Sequence, residues 1–302
     1  YDNGWQTHSY SSNGDPFYND LYNFDVTLNA PENYIIAHSG EEISYRRYRA
    51  YAIRDFAMVL SKSFKILSAT IDGTAINYYY TNDNTPEIAL QTAVKAISYF
   101  SREFWRYPYT TLAVVQTDFL HGGMEYGSLV YISADIDSET VSYQTVIVHE
   151  IAHQLWYGIV GNNQTKTAWI DEGLAEYSTA VFFESHPEYG ETIEKIATTN
   201  LSTLAFYDEI LKKFGTPFNK AMSRDINSFN SGYEYTFCTY CRGMLLFYNL
   251  AKMVGYKKFN SGLSAFATAN RFAFGTKEAL ISALESTLKT KLSVYFDNFI
   301  AG

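Results

Sequence analysis

Alternating apolar and polar residues dominate the first eighty positions of the chain. In "LYNFDVTLNAP", Tyr22, Phe24, Val26 and Leu28 fall on one face and the run stops at Pro31. That is the period-two pattern of a strand with one side buried. "ISYRRYRAYAI" and "DFAMVLSKSF" are further strand candidates. "ILSATIDGTAINYYY" reads as a hairpin turning at Asp72-Gly73, a pair that tolerates the positive φ angles of a two-residue turn. The texture changes at Thr85-Pro86, where Thr85 suits an N-cap and Pro86 the first helical position. The stretch from 86 to 105 then reads as a helix with Ile88, Val94, Ile97, Phe100 and Phe104 as its apolar positions. "TLAVVQT" and "GSLVYIS" are short buried strands. Beyond Ser142 the spacing predicts helices over about 142–157, 169–184, 195–213, 236–254, 258–270 and 276–288. A boundary is expected near residue 83, dividing a β-rich segment, 1–83, from a mixed but mostly helical segment, 84–302.

Composition narrows the classes. Of 302 residues, 47% are apolar and 18% charged, enough apolar material for a sizeable core and unlike a disordered chain. The formal net charge of −9 argues against nucleic acid or an anionic membrane as partner, since both require a basic surface. No apolar run is long enough to span a bilayer. The chain opens "YDNGWQTHSY", without an initiator Met or a signal-peptide pattern, and so reads as a processed or trimmed piece. The two cysteines, Cys238 and Cys241, are spaced CxxC. They lack a thioredoxin-like context and read as two small residues near a helix start.

Candidate chemistry begins at "VIVHEIAHQLWYG". On a helix, residues four apart lie on one face, so His149 and His153 can aim two imidazoles at one ion. Glu150 lies about 100° round the axis, within reach of a water on that ion but not placed as a ligand. Ser142 can cap this helix and Gly158 can end it. A catalytic zinc needs three protein ligands and an open position. The third candidate is Glu172, after eighteen intervening residues and a polar loop, "GIVGNNQTKT". Asp171 is the rival carboxylate, facing about 100° away. Glu176, one turn beyond Glu172, could accept the other N–H of a ligand imidazole.

"HEIAHQLWYGIVGNNQTKTAWIDEGLAEY" resembles the zinc motif of the aminopeptidase N family of gluzincin metallopeptidases, which includes the leukotriene hydrolase. The family's Asn-Glu-Gly turn is Asp171-Glu172-Gly173 here. "HGGMEYGSLVYIS" resembles its Gly-x-Met-Glu-Asn signature, and "TYCRGMLLFYNL" its Tyr-Glu-Lys-Gly segment. The resemblance implies an α+β fold. A thermolysin-like catalytic domain, with a small mixed sheet and a mostly helical lobe, would follow part of an all-β domain. It implies one zinc per chain on His149, His153 and Glu172, with Glu150 as general base. Tyr240 would stabilise the oxyanion, with Tyr233 and Tyr235 as nearby rivals. Gly122, Gly123, Met124 and Glu125 would bind substrate, Glu125 taking the protonated α-amine and the glycines letting the substrate backbone approach an edge strand. Partners would be peptides with a free N-terminus. Departures are Tyr126 for the signature Asn, and Cys241 and Arg242 for Glu and Lys.

A thermolysin-like endopeptidase would share the metal motif without amine capture, and Glu125 separates the two readings. A non-catalytic relative serving as a binding module would be expected to lose a ligand or the base, and here none is lost. His121 is unassigned. His8, His38 and His186 read as structural or solvated. The motif variant leans toward secreted or surface-anchored bacterial members of the family.

Overall fold

The computed structural model describes residues 10–14 and 17–302. The β-rich part contains strands β1 (Tyr22–Thr27), β2 (Ile35–His38), β3 (Glu41–Ser44), β4 (Arg47–Ile53) and β5 (Met58–Ser61). They form an antiparallel sheet in the order β1-β4-β3 and a separate β2-β5 pair. β6 (Lys65–Ile71) and β7 (Thr74–Tyr80) make the expected hairpin, with Asp72 and Gly73 at φ angles of 51° and 88°.

That hairpin does not stay with the strands before it. β7 pairs in parallel with β8 (Thr111–Thr117), and β8 with β10 (Leu129–Ser133). The two-residue strand β9 (Gly123–Met124) closes the edge, giving a mixed sheet in the order β6-β7-β8-β10-β9. A boundary at residue 83 would cut this sheet. The change of texture at Thr85-Pro86 marks the start of a helix rather than the edge of a packing unit.

Alternation along β8 explains why the sheet is covered on both faces. Leu112 and Val114 join Ile76, Tyr78, Val130 and Ile132 in the main core. Ala113 and Val115 face the other way, with Tyr79 and Leu129, onto Ala37, Ala57 and Phe64 from the β-rich part. Successive strand residues point to opposite faces, so a run of five buried residues in β8 needs a partner layer on each side.

Helix α1 (Pro86–Glu103) covers the first face. Ala89, Leu90, Ala93, Ile97 and Phe100 are buried, but Ile88 is 48% exposed, so the buried stripe is rotated from the expected one. Thr85 occupies the N-cap without capping through its side chain. Its hydroxyl donates instead to Ser138 O at 3.2 Å. Helix α2 (Val141–Ala152) lies against α1 and β10. Val146, Ile147, Val148 and Ile151 are β-branched residues that disfavour helix slightly, and burial of the segment overrides that preference. Its N-cap is Thr140 rather than Ser142, and it ends at Ala152. A turn follows, in which the Gly158 N–H donates to His153 O.

The remaining regular structure is helical except for a short parallel pair, β11 (Val160–Gly161) with β12 (Ala273–Phe274). The helices are α3 (Gln164–Thr167), α4 (Asp171–Ser185), α5 (Ile193–Lys213), α6 (Gly232–Thr236), α7 (Arg242–Val254), α8 (Tyr256–Asn270), α9 (Lys277–Leu288) and α10 (Ser293–Ala301). α4 and α7 cross at Gly173 and Gly243. A Cβ added to Gly173 would lie 2.8 Å from the Gly243 Cα, and one on Gly243 would lie 2.7 Å from the Gly173 Cα. No side chain fits between the two backbones. Arg242 has a structural task beside this crossing. Its guanidinium donates to Phe299 O at 2.5 Å and lies over the Phe299 ring, anchoring α10.

Candidate metal centre and groove

Three donor atoms converge between α2 and α4. His149 Nε2 and His153 Nε2 are 3.0 Å apart, and Glu172 Oε2 lies 3.1 Å from His153 Nε2 and 3.4 Å from His149 Nε2. Zinc held at about 2.0–2.1 Å in a tetrahedron has ligand-to-ligand edges of roughly 3.3 Å, so the donor set fits one such ion. Each imidazole is oriented from behind. His153 Nδ1 lies 2.9 Å from Trp156 O. A carbonyl can only accept, so a neutral His153 ring keeps its proton on Nδ1 and turns the Nε2 lone pair toward the cluster. His149 Nδ1 lies 3.0 Å from Glu176 Oε1, close enough for an ion pair but out of line for a hydrogen bond. Trp156 has no signal in the sequence, because its carbonyl reaches His153 through the tight turn after α2.

Electrostatics follow from burial and proximity. Burial opposes charge on both rings, but it is outweighed. Glu172 and Glu176 hold His149 well above its ordinary pKa. Glu125 and Glu172 raise His153 to about 10. Glu172 is itself disfavoured as an anion by burial, yet His153 and His149 lower it to about 2. The metal-free cluster therefore holds protons where an ion would sit.

Asp171 is not part of this set. It is 1% exposed, with Oδ1 accepting from Asn162 Nδ2 at 2.8 Å and Oδ2 from Gln164 Nε2 at 2.6 Å. Glu125, His153 and Asp171 also offer donor atoms close together. Asp171 is nonetheless already engaged by two amides, and His153 Nε2 faces Glu172.

Tyr240 reaches the centre from the chain segment before α7. Its hydroxyl donates to Glu172 Oε1 at 2.6 Å, and its ring stacks on His149 with centroids 5.8 Å apart. Burial and the Glu172 carboxylate keep the phenol far above its ordinary pKa, so it is a neutral donor. The sequence reads as plain α-helix here, but Phe237–Cys241 is a π-helical turn, with the Arg242 N–H on Phe237 O, five residues back. The extra residue in that turn re-aims the side chains around Tyr240, and π-bulges recur at functional sites. Of the rivals, Tyr233 is 74% exposed, whereas Tyr235 is buried against Phe229 and Gly14. Cys238 and Cys241 lie in the same turn as free thiols, pushed by burial to about 11 and about 12. They are poor nucleophiles at neutral pH.

Gly123 carries a constraint that the sequence did not suggest. A Cβ there would lie 2.3 Å from Glu150 Oε1. The missing side chain thus makes room for the Glu150 carboxylate, over which the edge strand β9 passes. At Gly122 a Cβ would meet only Val146, at an ordinary 3.7 Å. Met124 is 2% exposed, pairs with Tyr131 of β10 and does not line the groove. Glu125 follows, 5% exposed and facing the groove. Gln154 ties this segment to the turn after α2, with Nε2 donating to Tyr126 O and Oε1 accepting from the Ser128 N–H, each at 2.9 Å. Asp55 adds a second tie, accepting from the Gly127 N–H and the Tyr157 hydroxyl.

The groove over this centre encloses about 1240 Å³. Among the described residues that line it are Glu125, Glu150, Glu172 and Glu176, and no lysine or arginine. Tyr10, Ser11, Ser12 and Gly14 also line it, which the sequence did not suggest. They reach the groove through a contact over two hundred positions long, Asn13 Nδ2 donating to Ile226 O and Phe229 O. His121, unassigned from sequence, is at the groove wall beside Phe119. His38 and His186 are structural, packed on Tyr48 and on Phe182. His8 lies outside the described residues.

Residues 88–299 match the model of the peptidase family M1 domain. Aminopeptidase N of Lactobacillus helveticus is 25% identical over 236 residues, covering 72% of this chain and 27% of its own length. Aminopeptidase 2, mitochondrial, of Saccharomyces cerevisiae is 24% identical over 241 residues, covering 75% and 24%. The chain thus spans about a quarter of the length of these relatives. An M1 zinc metallopeptidase from Deinococcus radiodurans, solved as an E323A mutant, superposes with a TM-score of 0.69 at 17% identity. The match covers 90% of this chain and 62% of that one. The match to the family model extends over most of the chain, and the chain belongs to peptidase family M1.

Proposed function

We propose that this chain carries the catalytic centre of a zinc-dependent aminopeptidase, which removes residues from the free N-terminus of peptides. The observation that carries the reading is Glu125. It is a carboxylate on the segment that follows an open sheet edge, in a groove whose described lining has four glutamates and no lysine or arginine.

His149, His153 and Glu172 would hold the metal, which supplies Lewis acidity at the scissile carbonyl and an acidified water. The remaining steps belong to the chain. Glu150 takes a proton from the attacking water and delivers it to the leaving amine. Tyr240 donates its hydroxyl proton toward the oxyanion that develops on the carbonyl. Glu125 binds the α-ammonium, since an α-amine with a pKa of about 7.7–8.0 is largely cationic at neutral pH. Substrate backbone laid along β9 would extend the sheet by one strand. An α-amine held at Glu125 leaves the first peptide bond as the one over the metal. A thermolysin-like endopeptidase would have no use for such an anchor.

The deciding experiment compares a peptide bearing a free N-terminus with its N-acetylated counterpart, alongside metal analysis of the purified chain. The aminopeptidase reading expects one zinc and cleavage of the free peptide alone. Equal cleavage of both peptides at internal bonds would leave the zinc chemistry standing and remove the aminopeptidase.

A further inference from the structure

The amide of Gln164 sits where three segments meet. It is the first residue of α3, in a turn whose cap is Asn163, and it is 3% exposed. Its Oε1 accepts from the Phe17 N–H at 2.8 Å. Its Nε2 donates to Asp171 Oδ2 at 2.6 Å and to Glu125 Oε1 at a longer 3.4 Å. A backbone N–H can only donate and a carboxylate can only accept, so the amide has one possible orientation. Two short bonds fix its plane, and the remaining N–H is delivered to Glu125.

We infer that Gln164 is a positioning residue, holding the Glu125 carboxylate at a set distance from the metal centre and so setting which peptide bond is presented. The inference rests on the reading of Glu125 as the amine anchor. Asp171 is the residue before Glu172, so Gln164 spans directly from the anchor to the turn that carries the third metal ligand. The choice of an amide matters as much as its reach. A lysine or arginine here would neutralise Glu125 and compete with the substrate ammonium, and a carboxylate would repel it. A neutral donor orients Glu125 without cancelling its charge. Through its backbone N–H, Phe17, which itself lines the groove, is tied to the anchor by the same amide. Gln164 therefore acts on substrate only through Glu125, and that separates it from a residue that merely packs.

The test uses the whole zinc-loaded chain, an aminoacyl amide with a free α-amine, and four variants: Glu125→Gln, Gln164→Leu, Gln164→Asn and the double change Glu125→Gln/Gln164→Leu. Loss of a hydrogen bond to a charged group typically weakens binding about tenfold or more. Gln164→Leu should therefore raise KM about tenfold with a much smaller change in kcat, at unaltered zinc content. In the Glu125→Gln background the same change should add less than about twofold, because sites that act through one another are not additive. Gln164→Asn keeps an amide but withdraws it by one methylene. It should show the same split if Gln164→Leu proves too unstable to assay. Calorimetric binding of the amide to the metal-stripped chain gives the same comparison without turnover. If Glu125→Gln raises KM while both Gln164 variants keep it within about twofold, Gln164 is not the positioning residue and the anchor stands. If Glu125→Gln leaves KM unchanged, the anchor reading itself fails and takes this inference with it.

Discussion

Tyr240 and His153 take opposite oxygens of one carboxylate. The Tyr240 hydroxyl donates to Glu172 Oε1 at 2.6 Å, while Oε2 lies 3.1 Å from His153 Nε2. The Glu172 carboxylate is thus oriented by the same phenol that is proposed to meet the oxyanion. Tyr240→Phe should lower kcat by roughly 10²–10³, as loss of one oxyanion donor does, and change KM little. Steady-state kinetics with metal analysis check it. If Tyr233→Phe shows that loss while Tyr240→Phe is nearly silent, the role moves to Tyr233.

Gly122 and Gly123 adjoin in sequence but should respond oppositely to the same methyl group. Gly123→Ala puts a Cβ where the Glu150 carboxylate lies. It should mimic loss of a general base, about 10²-fold or more in kcat, with zinc retained. Gly122→Ala meets only ordinary contact and should keep kcat within about twofold. A Gly123→Ala chain of normal activity would show that Glu150 works from some other position.

The α4–α7 crossing should be intolerant of any side chain. Gly173→Ala or Gly243→Ala forces two helix backbones apart, and overpacking of this kind costs about 1–3 kcal/mol. The same displacement separates Glu172 from Tyr240, which sit on either side of the crossing. Melting temperature and kcat should fall together in both variants. A stable variant that had lost only kcat would show that the crossing aligns the site without supporting the fold.

Metal removal should make stability depend on alkaline pH. His153 is raised from 6.5 to about 10 in the folded, metal-free chain. A raised pKa contributes stability that is fully present below the unfolded value and is lost as pH rises through the folded value. His149, also raised, acts with the same sign. The stripped chain should therefore lose melting temperature between about pH 6.5 and 10, and zinc should flatten that limb by taking the place of the protons. Thermal melts of stripped and zinc-loaded protein across this range test it. A stripped chain with a flat alkaline limb would show that the cluster is not protonated as its geometry implies.

How much the sequence revealed depended on how local each signal was. His149 and Glu150 lie in the last turn of one helix and His153 is its C-cap in helical conformation, so spacing alone gives their faces. Glu172 needed only the length of a loop. The hairpin at Asp72-Gly73 was legible because its turn residues dictate their own φ angles. Trp156 O behind His153, Gln164 between Asp171 and Glu125, and Ser11 in the groove were not legible. Each depends on segments brought together by the whole fold. Gly123 was legible as a special position but not for its reason, since the carboxylate it admits comes from the next helix. The π-helical turn at Tyr240 left no periodic trace, because one added residue shifts a helical pattern too little to detect.

The pairing of β7 with β8 bears on where this protein can be cut. Starting an expressed segment at the change of texture near residue 84 would remove β6 and β7 and strip one side of β8. It would also remove Ala37, Ala57 and Phe64, which cover the face presented by Ala113 and Val115. Leu112 to Val115 would then form a bare apolar strand with unpaired backbone groups, the kind of edge along which chains join into aggregates. The β-rich strands are in this sense a built-in shield for the mixed sheet beneath the candidate site.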